Sequence, residues 1–194
     1  MRRIVLLFAL LVVTIATPLS AVSGASVRLP KSAADWATFS DAERAAAYAW
    51  VWAEYDRLAA AGKLKATIIS GSSSDEGGFS TLTVTGYVDC GFIFNNQAWG
   101  TYTKGWASVS ASQPVFSLST GTSPTLMDKL WRGSTLFNEF GAGGGGTYVY
   151  AESAQDFKWS WESVTYQVQS WGSIQITYSN YLFKDRYCGR SASV

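Results

Sequence analysis

The chain has 194 residues, with 15 lysines and arginines against 14 aspartates and glutamates, no histidine, and a formal net charge of +1. Without histidine there is no Ser-His-Asp triad, no Cys-His dyad and no histidine-bound zinc. A near-neutral chain lacking a concentrated basic stripe is not built to hold nucleic acid.

Arg2 and Arg3 precede an apolar block, Ile4 to Ala16, which Pro18 ends and small residues follow. The block falls short of the ~20 residues that cross a bilayer. Positive start, apolar block and small-residue exit are the order of a secretory signal peptide. Ser23-Gly24-Ala25 places cleavage after Ala25. No second apolar run of spanning length follows, so the expectation is an exported protein without stable membrane insertion. Residues 26–194 are enough for one domain with its own core, and losing the two arginines takes the formal charge to about −1.

A helix is predicted over about 40–61. Ser40 and Glu43 have capping-box spacing, alanines fill the interior, and Gly62 stands where a helix C-terminus wants glycine. Ala45, Tyr48, Trp52, Tyr55 and Ala59 recur at three- and four-residue steps and form an apolar stripe. Trp50 falls off it, as if the helix were clasped on two sides. The stripe suits packing on a sheet; a partner-binding helix is the alternative.

Strands begin at about 66. A short one at Ala66–Ser70 precedes the polar loop Gly71–Gly78. Leu82, Val84 and Val88 then alternate with Thr81, Thr83, Thr85 and Tyr87 on the wetter face, and Gly86 sits on the apolar phase, where a bend or close approach is natural. Further strands are expected near 98–103, 106–110, 114–119, 126–131, 135–140, 146–152, 157–169 and 173–184. Between them stand turn residues at Asn95-Asn96, Gly121 to Pro124, Arg132-Gly133-Ser134, the glycine run 141–146, and Trp171-Gly172-Ser173. The fold class is therefore mainly β: an antiparallel β-barrel or two-sheet β-sandwich with one N-terminal α-helix packed against it.

The run "DFKWSWESVTYQVQSWGSIQITY" (156–178) sharpens this picture. Phe157, Trp159 and Trp161 fall on odd positions, and Val164, Tyr166 and Val168 on even ones. A one-residue slip in alternation is the mark of a β-bulge, here near Glu162-Ser163, with a second slip after Tyr178. On this reading the rings are core rather than a binding face.

Several constellations bear on function. Cys90 and Cys188 are the only cysteines; in an exported chain an even count reads as one disulfide, which leaves no thiolate nucleophile. Glu139, Glu152 and Glu162 lie on expected strands among aromatics, and two carboxylates flanking a sugar bond would suffice for glycoside hydrolysis. Solvated or structural glutamates are the plainer reading. Gly141 to Gly146 lacks the Gly-Lys-Ser/Thr ending and the following helix of a phosphate loop. Asp75 and Glu76 have no calcium-loop spacing, so no metal or other cofactor is expected. "NNQAWGTYTKGW" (95–106) sets Trp99, Tyr102 and Trp106 among amides and hydroxyls, like an adaptable recognition surface. The alternative is a hairpin with those rings folded inward.

Two resemblances accompany these features. In size and in its Trp, Tyr, Ser, Thr and Gly content the chain is similar to the small jelly-roll xylanases, without their motifs around either catalytic glutamate. "PVFSLS" (114–119) and "LWRGSTLFNEFGAGGGG" (130–146) resemble the closing strands of the secreted virulence-associated Vap proteins of actinobacteria. That likeness implies a small eight-stranded barrel acting on host cells without known catalysis. The chain departs from it in its long helix, its cysteine pair and its extra length, and no functional residue carries across. The expected function is non-catalytic binding of an extracellular protein or glycan. The alternatives are a glycan-active hydrolase using paired glutamates and a Vap-like host-interaction barrel.

Overall fold

The computed structural model describes residues 26–74, 84–121 and 127–194. The expected signal peptide (1–25), the Asp75-Glu76 pair, Leu82 and the turn residues 122–124 lie outside the described residues. Among the described residues two helices come first, α1 (Ala33–Ala37) and α2 (Asp41–Ala60). The strands β1 (Ala66–Ser74), β2 (Gly86–Gln97), β3 (Gly100–Thr120), β4 (Asp128–Arg132) and β5 (Thr135–Phe140) follow. The chain ends with β6 (Ala142–Glu152), β7 (Asp156–Trp159), β8 (Thr165–Thr177) and β9 (Asn180–Ser193).

The capping box of α2 is formed. Ser40 Oγ accepts from the Glu43 amide, while the Glu43 carboxylate accepts from the Ser40 amide at 2.7 Å. Its buried face differs from the predicted stripe: Ala47, Val51 and Leu58 are enclosed, whereas Tyr48 and Trp52 are substantially exposed. Small side chains face the strands directly, and the large rings reach over from the flanks. Tyr48 leans on Trp159, Trp52 on Tyr102 and Phe157, and Trp50, on the opposite flank, meets Trp99 edge-on at 5.1 Å. α1, which the sequence did not announce, is capped by Ser32 and lays Trp36 against Trp159.

Among the described residues all strand pairs are antiparallel and belong to one nine-stranded sheet, along the path β1-β2-β3-β8-β4-β5. β6 and β7 also pair with β3, and β9 with β8. The path has two ends, β1 and β5, so the sheet is not a closed barrel; that expectation is corrected, and with it the eight-stranded barrel implied by the Vap resemblance. β3 explains the curvature. Its first half pairs with β2 and its last four residues with β8, and its register against β6 shifts between Ser110 and Val115. Pro114 sits in that break, where a missing N–H costs no ladder hydrogen bond.

Several predicted boundaries move. β1 runs on to Ser74, into the stretch expected to be loop. The segments 98–103, 106–110 and 114–119 are one strand, β3. Asn95-Asn96 lies inside β2, which turns two residues later, at Ala98-Trp99. Most of the glycine run 141–146 is strand rather than turn: β6 begins at Ala142, and only Gly141 separates it from β5. A Cβ on Gly141 would stand 2.8 Å from the Thr120 carbonyl oxygen. Trp171-Gly172-Ser173 runs straight through β8, because a Cβ on Gly172 would lie 2.4 Å from a Val88 methyl; glycine is there for close packing, not for turning. Gly86 does mark a close approach, to Ile174.

Two cores result. One joins Val88, Phe92, Val109, Leu118, Leu130, Tyr166, Val168 and Ile174 inside the curved sheet. The other joins Phe39, Ala47, Val51, Tyr102, Phe157 and Trp159 where the helices meet β3 and β7. The slip in the 156–178 run is a change of core. The predicted bulge at Glu162-Ser163 is instead a break between two strands. β7 sends Phe157 and Trp159 to the helix-side core; β8 sends Tyr166 and Val168 to the other. Genuine register shifts appear farther on, between Gly172 and Thr177 against β9. Cys90 on β2 and Cys188 on β9 form the expected disulfide, with Cα atoms 6.0 Å apart.

Candidate binding face

The hairpin 95–106 forms, and its three aromatic residues go to three places. Trp99 is at the turn, half-buried against Trp50. Tyr102 is fully buried, its ring 4.8 Å from Tyr55 and its hydroxyl donating to the Val51 carbonyl at 2.6 Å. It fastens α2 to the sheet and has no exposed ring surface to offer a ligand. Trp106, 9% exposed, is on the outer face of the sheet beside Tyr150.

The three glutamates are each tied to a cation. Glu139 is 3.8 Å from Lys129. Glu162 accepts from the Trp159 amide at 2.7 Å and from Arg132 at 3.3 Å, holding the β7–β8 turn. Glu152 accepts from Lys104 and from the Tyr150 hydroxyl, both at 2.7 Å. Burial pushes the Glu152 carboxyl up, but these hydrogen bonds and the lysine charge outweigh it, so its pKa lies below the usual carboxylate value. A glycosidase acid needs the opposite shift.

Beneath the β7–β8 turn, Arg132 reaches Asp156 and Glu162, Asp156 accepts from the Tyr166 hydroxyl, and buried Lys158 donates to the Glu162 carbonyl. Burial lowers the Lys158 pKa. These groups satisfy one another, as enclosed charges must.

The outer face of β2, β3 and β6 is different. Residues opposite one another in a ladder share a face, and three rows follow: Tyr87–Ser110–Tyr148, Asp89–Ser108–Tyr150 and Gly91–Trp106–Glu152. Their neighbours of opposite parity, such as Val88, Val109 and Val149, are core. Tyr148, Tyr150 and Tyr87 are 58%, 39% and 43% exposed. The Tyr148 and Tyr150 rings are near-parallel at 6.4 Å, and Tyr150 and Trp106 at 6.1 Å. Gly91 makes room for the indole, since a Cβ there would be 2.9 Å from Trp106 Nε1 and 1.9 Å from the Ile69 carbonyl oxygen.

The rings stand around small serines, with the Lys104–Glu152 pair on one side. Burial raises the Asp89 pKa, partly offset by the Arg190 charge, and burial with the Glu152 hydrogen bond raises that of the Tyr150 hydroxyl. On the same face, at the open β1 edge, Ile68 opposite Ile93 is largely exposed. The sequence singled out Trp106 as a candidate and set Tyr87 on the wetter face of its strand, but did not join either to Tyr148 and Tyr150, because the face draws on three strands whose pairing is not written locally. The local signal for those two was their alternation with Val149.

Among the described residues no helix is long and apolar enough to cross a membrane, and no group of three potential metal ligands forms. No known protein family, curated protein or solved structure matches the chain.

Proposed function

We propose that the chain is an exported, non-catalytic binding protein whose partner is another protein, recognised by the outer face of β2, β3 and β6. In this reading the curved sheet is a two-sheet sandwich with α2 docked on it, and the N-terminal segment is a signal peptide. The disulfide supports an oxidising compartment. The observation that carries the binding assignment is the set of partly exposed rings, Tyr87, Tyr148 and Tyr150, placed around Ser108 and Ser110 by the strand register, with Tyr150 stacked between Tyr148 and Trp106. Rigid tyrosines among serines give large contact area at low entropic cost together with adaptable hydrogen bonding. Exposed Ile68, on a strand that pairs on one side among the described residues, extends the surface in a way that suits a protein partner.

The test is affinity purification from extracellular fluid with the native protein and with a Tyr87→Ala/Tyr148→Ala variant of equal thermal midpoint. Proteins retained by the first and lost by the second identify the partner; identical retention by both sinks the assignment. Reducing-sugar release from common polysaccharides that disappears in Glu152→Gln or Glu162→Gln would establish the hydrolase alternative instead.

A further inference from the structure

A second outer surface, on β4, β8 and β9, has different chemistry. Trp131 stands opposite Gln167, and Gln167 opposite Ser191; Lys129 stands opposite Gln169, and Gln169 opposite Gly189. Alternate residues, Leu130, Tyr166, Val168 and Cys188, are in the core, so this row faces outward. At its head lies a shallow depression of about 570 Å³, lined by Trp131, Gly133, Ser134, Thr165, Gln167 and Gln169. Four residues farther along β8, Trp171 meets Tyr187 at 5.6 Å. At ~3.3 Å per residue, the two indole positions are about 13 Å apart along the strand.

Two properties define the ligand. No charged side chain lines the depression, and Lys129, opposite Gln169 in the same row, is paired with Glu139 and lies 5.9 Å from the centre of the Trp171 ring. A charged ligand would find no compensating partner there. The Gln167 and Gln169 amides make no side-chain hydrogen bond among the described residues. The surface thus alternates apolar rings with free amide donor–acceptor pairs and hydroxyls. No aliphatic side chain lines the depression, unlike the apolar centre of a protein interface.

We propose that this strip binds a neutral, polyhydroxylated oligosaccharide: sugar rings lie against Trp131 and Trp171, and Gln167 and Gln169 hydrogen-bond their hydroxyls. The site is on a different face from the protein-recognition surface and stands independently of it.

The test is affinity electrophoresis of the full exported chain through native gels holding soluble neutral polysaccharides (xyloglucan, mixed-linkage β-glucan, galactomannan or arabinoxylan). A gel with anionic pectate serves as a further probe. The expected result is retardation by at least one neutral polymer, with apparent affinity falling about tenfold or more in Trp131→Ala and in Gln167→Ala/Gln169→Ala. Tyr87→Ala/Tyr148→Ala should bind as the native protein does. The glutamines are on the surface, so the double variant remains informative if Trp131→Ala folds poorly. Retardation by no neutral polymer, by pectate alone, or to the same degree in the glutamine variant overturns the proposal.

Discussion

Asp128 gives the sharpest test of the energetic reasoning. Its side chain is fully buried at the start of β4, receiving hydrogen bonds from the Thr120 hydroxyl and from the Trp171 amide at 3.2 Å. Burial dominates, and although hydrogen bonds from Thr120, Ser170, Trp171 and Gly121 oppose it, the pKa rises from 3.8 to about 6. A carboxyl whose folded pKa exceeds its unfolded one contributes stability that is complete below about 3.8 and lost as pH rises through about 6. At about 1.4 kcal/mol per unit, the shift is worth about 3 kcal/mol. Asp35, Glu43, Glu54 and Glu152 have lowered pKa values and act in the opposite direction at acid pH. A difference measurement cancels them. Urea unfolding followed by tryptophan fluorescence, at fixed ionic strength between about pH 4 and 7, should show the native chain gaining most of this, about 2 kcal/mol, over Asp128→Asn as pH falls. A difference that stays flat across that window would refute the assignment of this carboxyl as the raised one.

Other outcomes follow from single contacts. Removing the disulfide as Cys90→Ala/Cys188→Ala opens a 98-residue separation, and loop-closure entropy then costs about 4–5 kcal/mol by chemical denaturation. Gly172→Ala places a methyl 2.4 Å from Val88 Cγ2 and 2.8 Å from Val109 Cγ2, so overpacking should cost about 1–3 kcal/mol. Tyr102→Phe keeps the ring and loses the hydroxyl's bond to the Val51 carbonyl and the long bond it accepts from Trp99 Nε1 at 3.5 Å, for about 1 kcal/mol, with faster amide exchange in α2 as the local sign. Ser40→Ala removes the cap of α2 and should cost about 1 kcal/mol of stability in a thermal or urea melt.

Features whose physical cause is local were legible in the chain before it was folded. The capping box of α2 needs only Ser40 and Glu43 three residues apart. The Arg132-Gly133-Ser134 turn needs only a glycine free to adopt the positive φ of 59° seen there. The β class follows from alternation, and the Cys90–Cys188 bond from there being no other cysteine to choose. Trp159 and Tyr166 could be read as buried from their setting, but not as belonging to different cores, because that depends on β7 pairing with β3 while the Tyr166 end of β8 pairs with β4 and β9. The candidate binding face was out of reach for the same reason. Tyr87, Trp106 and Tyr148 are far apart in the chain and become neighbours through the register of β2 and β6 against β3. That register is set by long-range packing of the opposite face, Val88, Val109 and Val149, so which rings meet, and which of them stay exposed to solvent, is settled by the assembled sheet.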